Sequence, residues 1–347
     1  MDKLFSENKN LAQKNLTLEA LRGFSSFYVA IGHWVLSYSP IHPSVKFLFS
    51  FGQEAVIIFF ILSGYVIHTS WTHNINKDLK SYFIKRFRRI YFPFIIALGL
   101  SLIILPLSKF TWKEFIGNLL MLQDFSSGKP GVFVDSFMGN APLWSLSYEW
   151  GFYLLFPFVY IAIGNKDSRL FYIMFISFIS MLAYILFPNH LFLIPAYLII
   201  WWCGLELSSL KTILSNKTFN VKRAFIAFFP ILLLLTITTI YRQVNFGEFR
   251  AGVYPLLFLR HFTFAFLFVF LALKGGMFKL FIKSIIFPFH HLAPISYGFY
   301  IFHYIIFIQW STGISWYFDI PLKLIIVFAL SYLVEIKCQP IINRYIK

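Results

Sequence analysis

The sequence predicts an all-α fold: a polytopic membrane helix bundle of about ten transmembrane helices with both termini cytoplasmic. Three observations lead there. Hydrophobic residues make up 59% of the 347 and charged residues only 13%, against about a quarter charged in a soluble domain. That excludes an ordinary soluble enzyme, a disordered chain and a collagen-like fibre. Apolar runs of about 20 residues, the length that crosses a bilayer, recur along the chain without the period-two alternation of membrane strands. The basic residues are also distributed unevenly between the two sides those runs define.

Ten spans are expected, at 18–38, 47–70, 90–107, 142–163, 170–187, 191–209, 224–241, 253–273, 286–311 and 321–338. With residues 1–17 as a cytoplasmic tail, 22 of the 30 Lys and Arg fall on the cytoplasmic side and 8 outside. This is the bias of multi-pass proteins. It accounts for most of the formal charge of +16 without a nucleic-acid partner. A multi-pass protein of the inner or plasma membrane, in contact with membrane lipids, is expected, and a homo-oligomer is compatible with the sequence.

The first span is not a cleavable signal, because it starts late and holds Arg22 and His33. Those two lie 11 residues apart, about three turns plus 20°, so they share a helix face about 16 Å apart along the axis. Ser26 lies between them, and Glu19 precedes Arg22 by one turn. Histidine titrates near neutrality and suits proton removal from a hydroxyl. The other reading of His33 is a structural imidazole bonded to a neighbouring span. In the second span Gly64, between Ser63 and Tyr65, permits close helix approach; Glu54 and His68 carry no assigned role. Ahead of the third span, Lys85, Arg86, Arg88 and Arg89 place four cations in five residues. They suit either phosphates or anchoring to anionic lipid.

Residues 108–141 form a long extracytoplasmic loop with Trp112, Asp124, Gly128, Pro130, Gly131, Asp135 and Gly139. It reads as a lid or acceptor-binding loop, or as a passive connector. Pro142 favours a helix start for the fourth span, where Ser145 and Glu149 share a face. A buried Glu149 must be protonated or paired, either to orient catalysis or as a packing ion pair. Spans five and six are separated only by Pro188, Asn189 and His190. His190, His290 and His291 read as interfacial, and His261 has no assigned role. In the ninth span Ser296, Tyr300 and His303 fall on adjoining turns of one face. Cys203 and Cys338 both lie in apolar runs, so neither a disulfide framework nor a zinc spacing is expected. No metal site is expected.

Several motifs, in order, resemble one family. They are Leu21-Arg22-Gly23 with the spacing to His33, Phe59-Phe60-Ile61-Leu62-Ser63-Gly64-Tyr65, and the basic run into Arg89-Ile90-Tyr91. Trp144-Ser145-Leu146-Ser147-Tyr148-Glu149 follows, continuing to Pro157, then Ser296-Tyr297 through Tyr300 to His303, and Glu335. Over residues 18–340 this is similar to the acyltransferase-3 family of integral membrane O-acyltransferases, here as one membrane-embedded domain over 1–347 in a stand-alone form without an esterase-like domain. The resemblance implies transfer of an acyl, usually acetyl, group from cytoplasmic acetyl-CoA as co-substrate to a hydroxyl of a cell-envelope or exported carbohydrate, or of a glycolipid. It implies catalytic roles for His33 and Glu149, CoA phosphates on Arg22, Arg86, Arg88 and Arg89, and acceptor positioning by Ser145, Tyr297 and His303. The chain departs from the family pattern at Ala55-Val56-Ile57, where an acid is expected, with Glu54 close by. The competing reading is a secondary transporter or flippase for a sugar or lipid-linked intermediate, which shares ten spans and buried titratable groups.

Overall fold

The computed structural model describes residues 2–38, 40–73, 78–164, 166–210 and 219–345, with the side chains of 2–15, 277 and 316 left aside. Lys77, Lys211, Lys217 and Lys347, and the side chains of Lys3, Lys9 and Lys14, therefore lie outside the described residues. The described residues are mostly helical, joined by loops and turns and with one pair of two-residue strands, in keeping with the all-α expectation. The helices are α1 (Asp2–Ser37), α2 (Pro43–Leu48), α3 (Gly52–His73), α4 (Leu79–Ile104), α5 (Trp112–Leu119), α6 (Trp144–Ile163) and α7 (Arg169–Leu186). There follow α8 (His190–Ser209), α9 (Val221–Phe246), α10 (Leu256–Lys274), α11 (Met277–Phe281), α12 (Ser296–Tyr304), α13 (Trp316–Tyr332) and α14 (Gln339–Tyr345). The strands are β1 (Gln123–Asp124) and β2 (Val134–Asp135), paired in parallel.

Among the described residues, nine helical segments are long and apolar enough to cross a membrane. α1 is not among them, because Glu19, Arg22 and His33 interrupt its apolar sequence. α1 runs as one helix from Asp2 through the expected tail at 1–17 into the first expected span. The short gap at Pro188–His190 does divide two helices. Asn189 caps α8 by accepting from the Leu191 N–H at 2.9 Å, and Phe187 leaves helical geometry at the end of α7.

Two compact units make up the chain. The first comprises Met1–Phe59 and Lys274–Tyr345. Here α1 packs along residues 287–304. The contact is close because Gly23 lacks a side chain: a Cβ there would sit 1.9 Å from the Phe289 carbonyl oxygen. Phe24 and Phe27 flank that contact, with ring centroids 5.3 and 5.2 Å from Phe289. The expected single helix over 286–311 is broken into a 3-10 stretch over Phe287–Ile295, α12, and a π turn over Ile305–Gln309. Pro288 and Pro294 explain the first break, as neither can donate a backbone hydrogen bond. A second π turn over Leu333–Cys338 presents Glu335, whose Oε1 accepts from the Gly298 N–H at 3.2 Å.

The second unit comprises Phe60–Leu273. Its tightest helix crossing joins α3 to α8. A Cβ at Gly64 would meet the Trp201 carbonyl oxygen at 1.9 Å, and one at Gly204 would meet the Ile61 carbonyl oxygen at 1.8 Å. Small residues on both helices thus let the backbones touch. The segment between α4 and α6 is folded, holding α5 and both strands.

Adding a methyl group at either glycine of this crossing forces backbone apart. Gly64→Ala and Gly204→Ala are each expected to cost about 1–3 kcal/mol or more, read as a lower thermal unfolding temperature in detergent. Gly99→Ala in α4, whose added Cβ meets nothing within 4 Å, is the control expected to unfold as wild type does.

Candidate functional site

In the first unit, α1 carries Arg22 and His33 on the face that meets residues 287–304. The Arg22 Nη2 donates to the Ala293 carbonyl at 2.9 Å. That carbonyl precedes Pro294 in the broken stretch and also accepts from the Ser296 hydroxyl at 2.8 Å. Three turns on, the half-buried His33 ring lies 5.4 Å from His303 and 5.0 Å, edge-on, from Tyr304. His303 is fully buried, 6.0 Å from the Tyr300 ring, and its ring nitrogens have no side-chain partner among the described residues. The expected face of Tyr300 and His303 therefore exists, and it meets His33. Tyr297 is half-buried on the same helix. Glu54 is buried in α3, within electrostatic reach of Tyr28.

In the second unit, Glu149 meets the Tyr153 hydroxyl at 2.5 Å and the Ser63 hydroxyl at 3.4 Å. Ser63 in turn donates to Tyr153 at 3.1 Å and accepts from the Trp201 indole N–H at 3.2 Å. Arg89 and Arg86 lie within electrostatic reach of Glu149. The Arg86 guanidinium sits 5.5 Å from the Tyr82 ring centroid and 5.8 Å from that of Tyr153. Its Nη2 reaches the Ser70 hydroxyl only at 3.5 Å, and its buried Nε has no hydrogen-bond partner among the described residues. A guanidinium with open donors between two aromatic rings fits an anion. Arg88 is half-buried beside it. Ser145 does not join this group, because its hydroxyl turns back to the Pro142 carbonyl at 3.3 Å.

Sequence reasoning missed the most heavily buried polar cluster. Lys129 Nζ donates to both carboxylate oxygens of Asp124, at 2.9 and 3.1 Å, and lies 3.1 Å from the Tyr148 hydroxyl. It also rests 4.0 Å from the Trp144 ring centroid and 4.4 Å from that of Phe125. Tyr148 donates to Asp124 at 2.7 Å, and His190 Nδ1 lies 3.0 Å from the same carboxylate. His190, read from sequence as interfacial, is instead completely buried, because its position at the start of α8 directs it onto Asp124. His261 joins the edge of this cluster through the Tyr197 hydroxyl at 2.8 Å and stacks on Trp144. Burial alone would raise the Asp124 carboxyl, but the Lys129 ammonium and the His190 ring hold it below its ordinary 3.8. Burial pushes Lys129 from 10.5 down to about 8, against the pull of Asp124.

Two further partnerships lie elsewhere in this unit. His68 meets Ser208 at 2.5 Å, and Arg169 grips Glu206 with two bonds of 2.7 Å. Among the described residues no group of three or more His, Cys, Asp or Glu is placed to hold a metal ion.

The buried ion pair carries a clear consequence. Lys129→Met leaves the buried Asp124 carboxylate without its ammonium partner, with Tyr148 and His190 still against it, at an expected cost of about 3 kcal/mol. The double variant Lys129→Met/Asp124→Asn is expected to recover part of the thermal stability. Because the Asp124 value is depressed on folding, its contribution is complete above pH 3.8 and fades as pH falls through the lower folded value. Wild type should therefore lose stability in acid more steeply than the double variant.

A family model described as an acyltransferase domain, Acyl_transf_3, matches residues 15–336. A curated protein named acyltransferase MdmB, from Streptomyces mycarofaciens, is 31% identical over 128 residues. That match spans 34% of this chain and 31% of the relative. No solved structure matches the chain. The family match takes in both units, including α1 with His33, the Arg run ahead of α4's apolar stretch, α6 with Glu149, and α12 with His303, and so the chain belongs to the Acyl_transf_3 family of acyltransferases.

Proposed function

We propose that this multi-pass membrane acyltransferase moves a short acyl group, acetyl by default, from cytoplasmic acyl-CoA to a hydroxyl of a cell-envelope or exported carbohydrate. The observation that carries the reading is the His33 imidazole, half-exposed on α1 and set against His303 and Tyr304. A transferase needs a group that accepts the acceptor's hydroxyl proton, and neutral imidazole does this near neutral pH. Family membership favours this reading over a transporter.

The phosphates of acyl-CoA are received by Arg86, Arg88 and Arg89. The Arg86 Nε, which has no hydrogen-bond partner among the described residues, supports this, since charge-assisted bonds to phosphate are the strong ones. The run lies on the cytoplasmic side by the distribution of Lys and Arg along the chain. Glu149, bonded to Tyr153 and Ser63, positions Arg86 and Arg89 electrostatically. Arg22 holds the broken stretch at Ala293 and so fixes the start of α12, which bears His303. Tyr297 and His303 are assigned to the acceptor; the Ser145 hydroxyl, bonded to the Pro142 carbonyl, is given no part in it.

His33 can act in either of two balanced ways. As a base, it takes the hydroxyl proton while the acceptor oxygen bonds to the acyl carbon; the C–S bond breaks, and the imidazolium returns the proton to the CoA thiolate. As an acyl carrier, a ring nitrogen takes the acyl group first and CoA thiol leaves with the ring proton; the acceptor hydroxyl then attacks the acyl-imidazole, the C–N bond breaks, and the hydroxyl proton returns to the ring. Acyl label retained on wild-type protein without acceptor, and absent from His33→Ala, identifies the second route; its absence in both identifies the first.

His33→Ala is expected to keep CoA binding and lose about 10²–10⁴-fold in transfer rate. Arg86→Ala/Arg89→Ala is expected to weaken CoA binding by about tenfold or more, given about 1.5–3 kcal/mol for a hydrogen bond to a charged group. Calorimetric CoA titration and acyl-CoA turnover in detergent read both. A folded His33→Ala protein with full transfer activity would refute the assignment.

A further inference from the structure

The extracytoplasmic segment holds a cleft that none of the roles above uses. It has a volume of about 440 Å³, and its lining includes Thr111, Lys113, Glu114, Ser126, Phe133 and Asp135. That volume falls within the range of roughly 300–1,000 Å³ typical of small-molecule sites. We propose that this cleft is a carbohydrate subsite, binding one sugar ring of the acceptor. The assignment rests on the carbohydrate acceptor proposed above and gives that acceptor a place.

The lining matches a sugar ring in two ways. A pyranose has a face of C–H groups and a rim of hydroxyls that both donate and accept. Phe133 supplies the apolar face: its ring stands edge-on to buried His190 at 6.5 Å, yet the residue remains 39% exposed. Acceptors come from Glu114, Asp135 and the Ser126 hydroxyl oxygen, and donors from Lys113 and Thr111. Asp135 accepts from the Ser126 N–H at 2.7 Å and the Ser126 hydroxyl at 2.8 Å, which uses two of the roughly four lone-pair sites of a carboxylate. Glu114 gives one oxygen to the Met138 N–H at 3.4 Å, leaving the other directed elsewhere.

The cleft is also built in advance. Asn118 ties its two walls, donating to the Glu114 carbonyl and the Asp135 carbonyl at 2.9 Å each and accepting from the Phe137 N–H at 3.0 Å. Gly117 lets α5 press on β2, since a Cβ there would meet the Val134 side chain at 2.5 Å. The buried Asp124–Lys129 pair anchors β1 from beneath. A site held this way loses little conformational freedom on binding. A mixture of an ammonium with two carboxylates suits a neutral polyol better than a metal ion, which Lys113 would repel.

Saturation-transfer NMR with methyl β-glucopyranoside, methyl β-galactopyranoside and methyl N-acetyl-β-glucosaminide, at millimolar concentration on the full chain in detergent, tests this. At least one glycoside is expected to bind the wild type. Phe133→Ala and Glu114→Gln are each expected to weaken it by about tenfold, through loss of the ring face and of a charged hydrogen-bond acceptor respectively. Sorbitol, with hydroxyls but no ring face, is expected not to depend on Phe133. Unchanged thermal unfolding in both variants certifies their folding, and Phe133→Leu supplies a milder second variant. Failure of every glycoside to bind, or binding indifferent to both positions, overturns the subsite. Failure of the donor reading shows separately, as absent CoA binding by wild type.

Discussion

A polar group surrounded by hydrocarbon has no water to fall back on, so each one in a membrane chain must find its partner inside the protein. The rest of this structure depends on that constraint. The broken stretch at Phe287–Ile295 leaves backbone carbonyls outside regular helix pairing, and the Arg22 guanidinium takes one of them. That bond, with the bare Gly23 beneath it, fixes where α1 lies. Only then do His33 and His303 face each other. The same constraint gathers Ser63, Glu149, Tyr153 and Trp201 into one hydrogen-bonded group and leaves Arg86, at its edge, with donors to spare.

α6 shows how one helix serves two polar clusters without mixing them. Trp144 and Tyr148, one turn apart, enclose the Lys129 ammonium. Glu149 and Tyr153, also one turn apart but rotated around the axis, face Ser63. The Trp-Ser-Leu-Ser-Tyr-Glu segment is therefore a branch point between the loop cluster around Lys129 and the Arg run. This gives a physical reason for a dense run of aromatic and polar residues in an apolar helix.

Much of this was legible in the sequence. Spans follow from apolar length, and the division at Pro188–His190 follows from a proline and a capping asparagine. The shared face of Arg22 and His33 follows from helical periodicity alone, and the need for a close crossing at Gly64 follows from its missing side chain. Other features were hidden. Asp124, Lys129 and His190 look like loop and interface residues because what buries the local Asp124–Lys129 pair is its closure by Tyr148 and His190, which lie far along the chain. Ser145 shares a helical face with Glu149 by spacing, yet its hydroxyl is consumed by the preceding turn. The breaks around α12 were signalled by Pro288 and Pro294, though not the π turns, which arise from packing.

The central claim is that this chain binds acyl-CoA and releases the acyl group from its thioester. The most direct measurement supplies acetyl-labelled acetyl-CoA to the purified wild-type protein in detergent and follows where the label goes. The account expects saturable binding and loss of label from CoA, accelerated by a carbohydrate acceptor. A well-folded protein that neither binds acetyl-CoA nor consumes it, yet carries a sugar or lipid-linked intermediate across vesicle membranes, would contradict it.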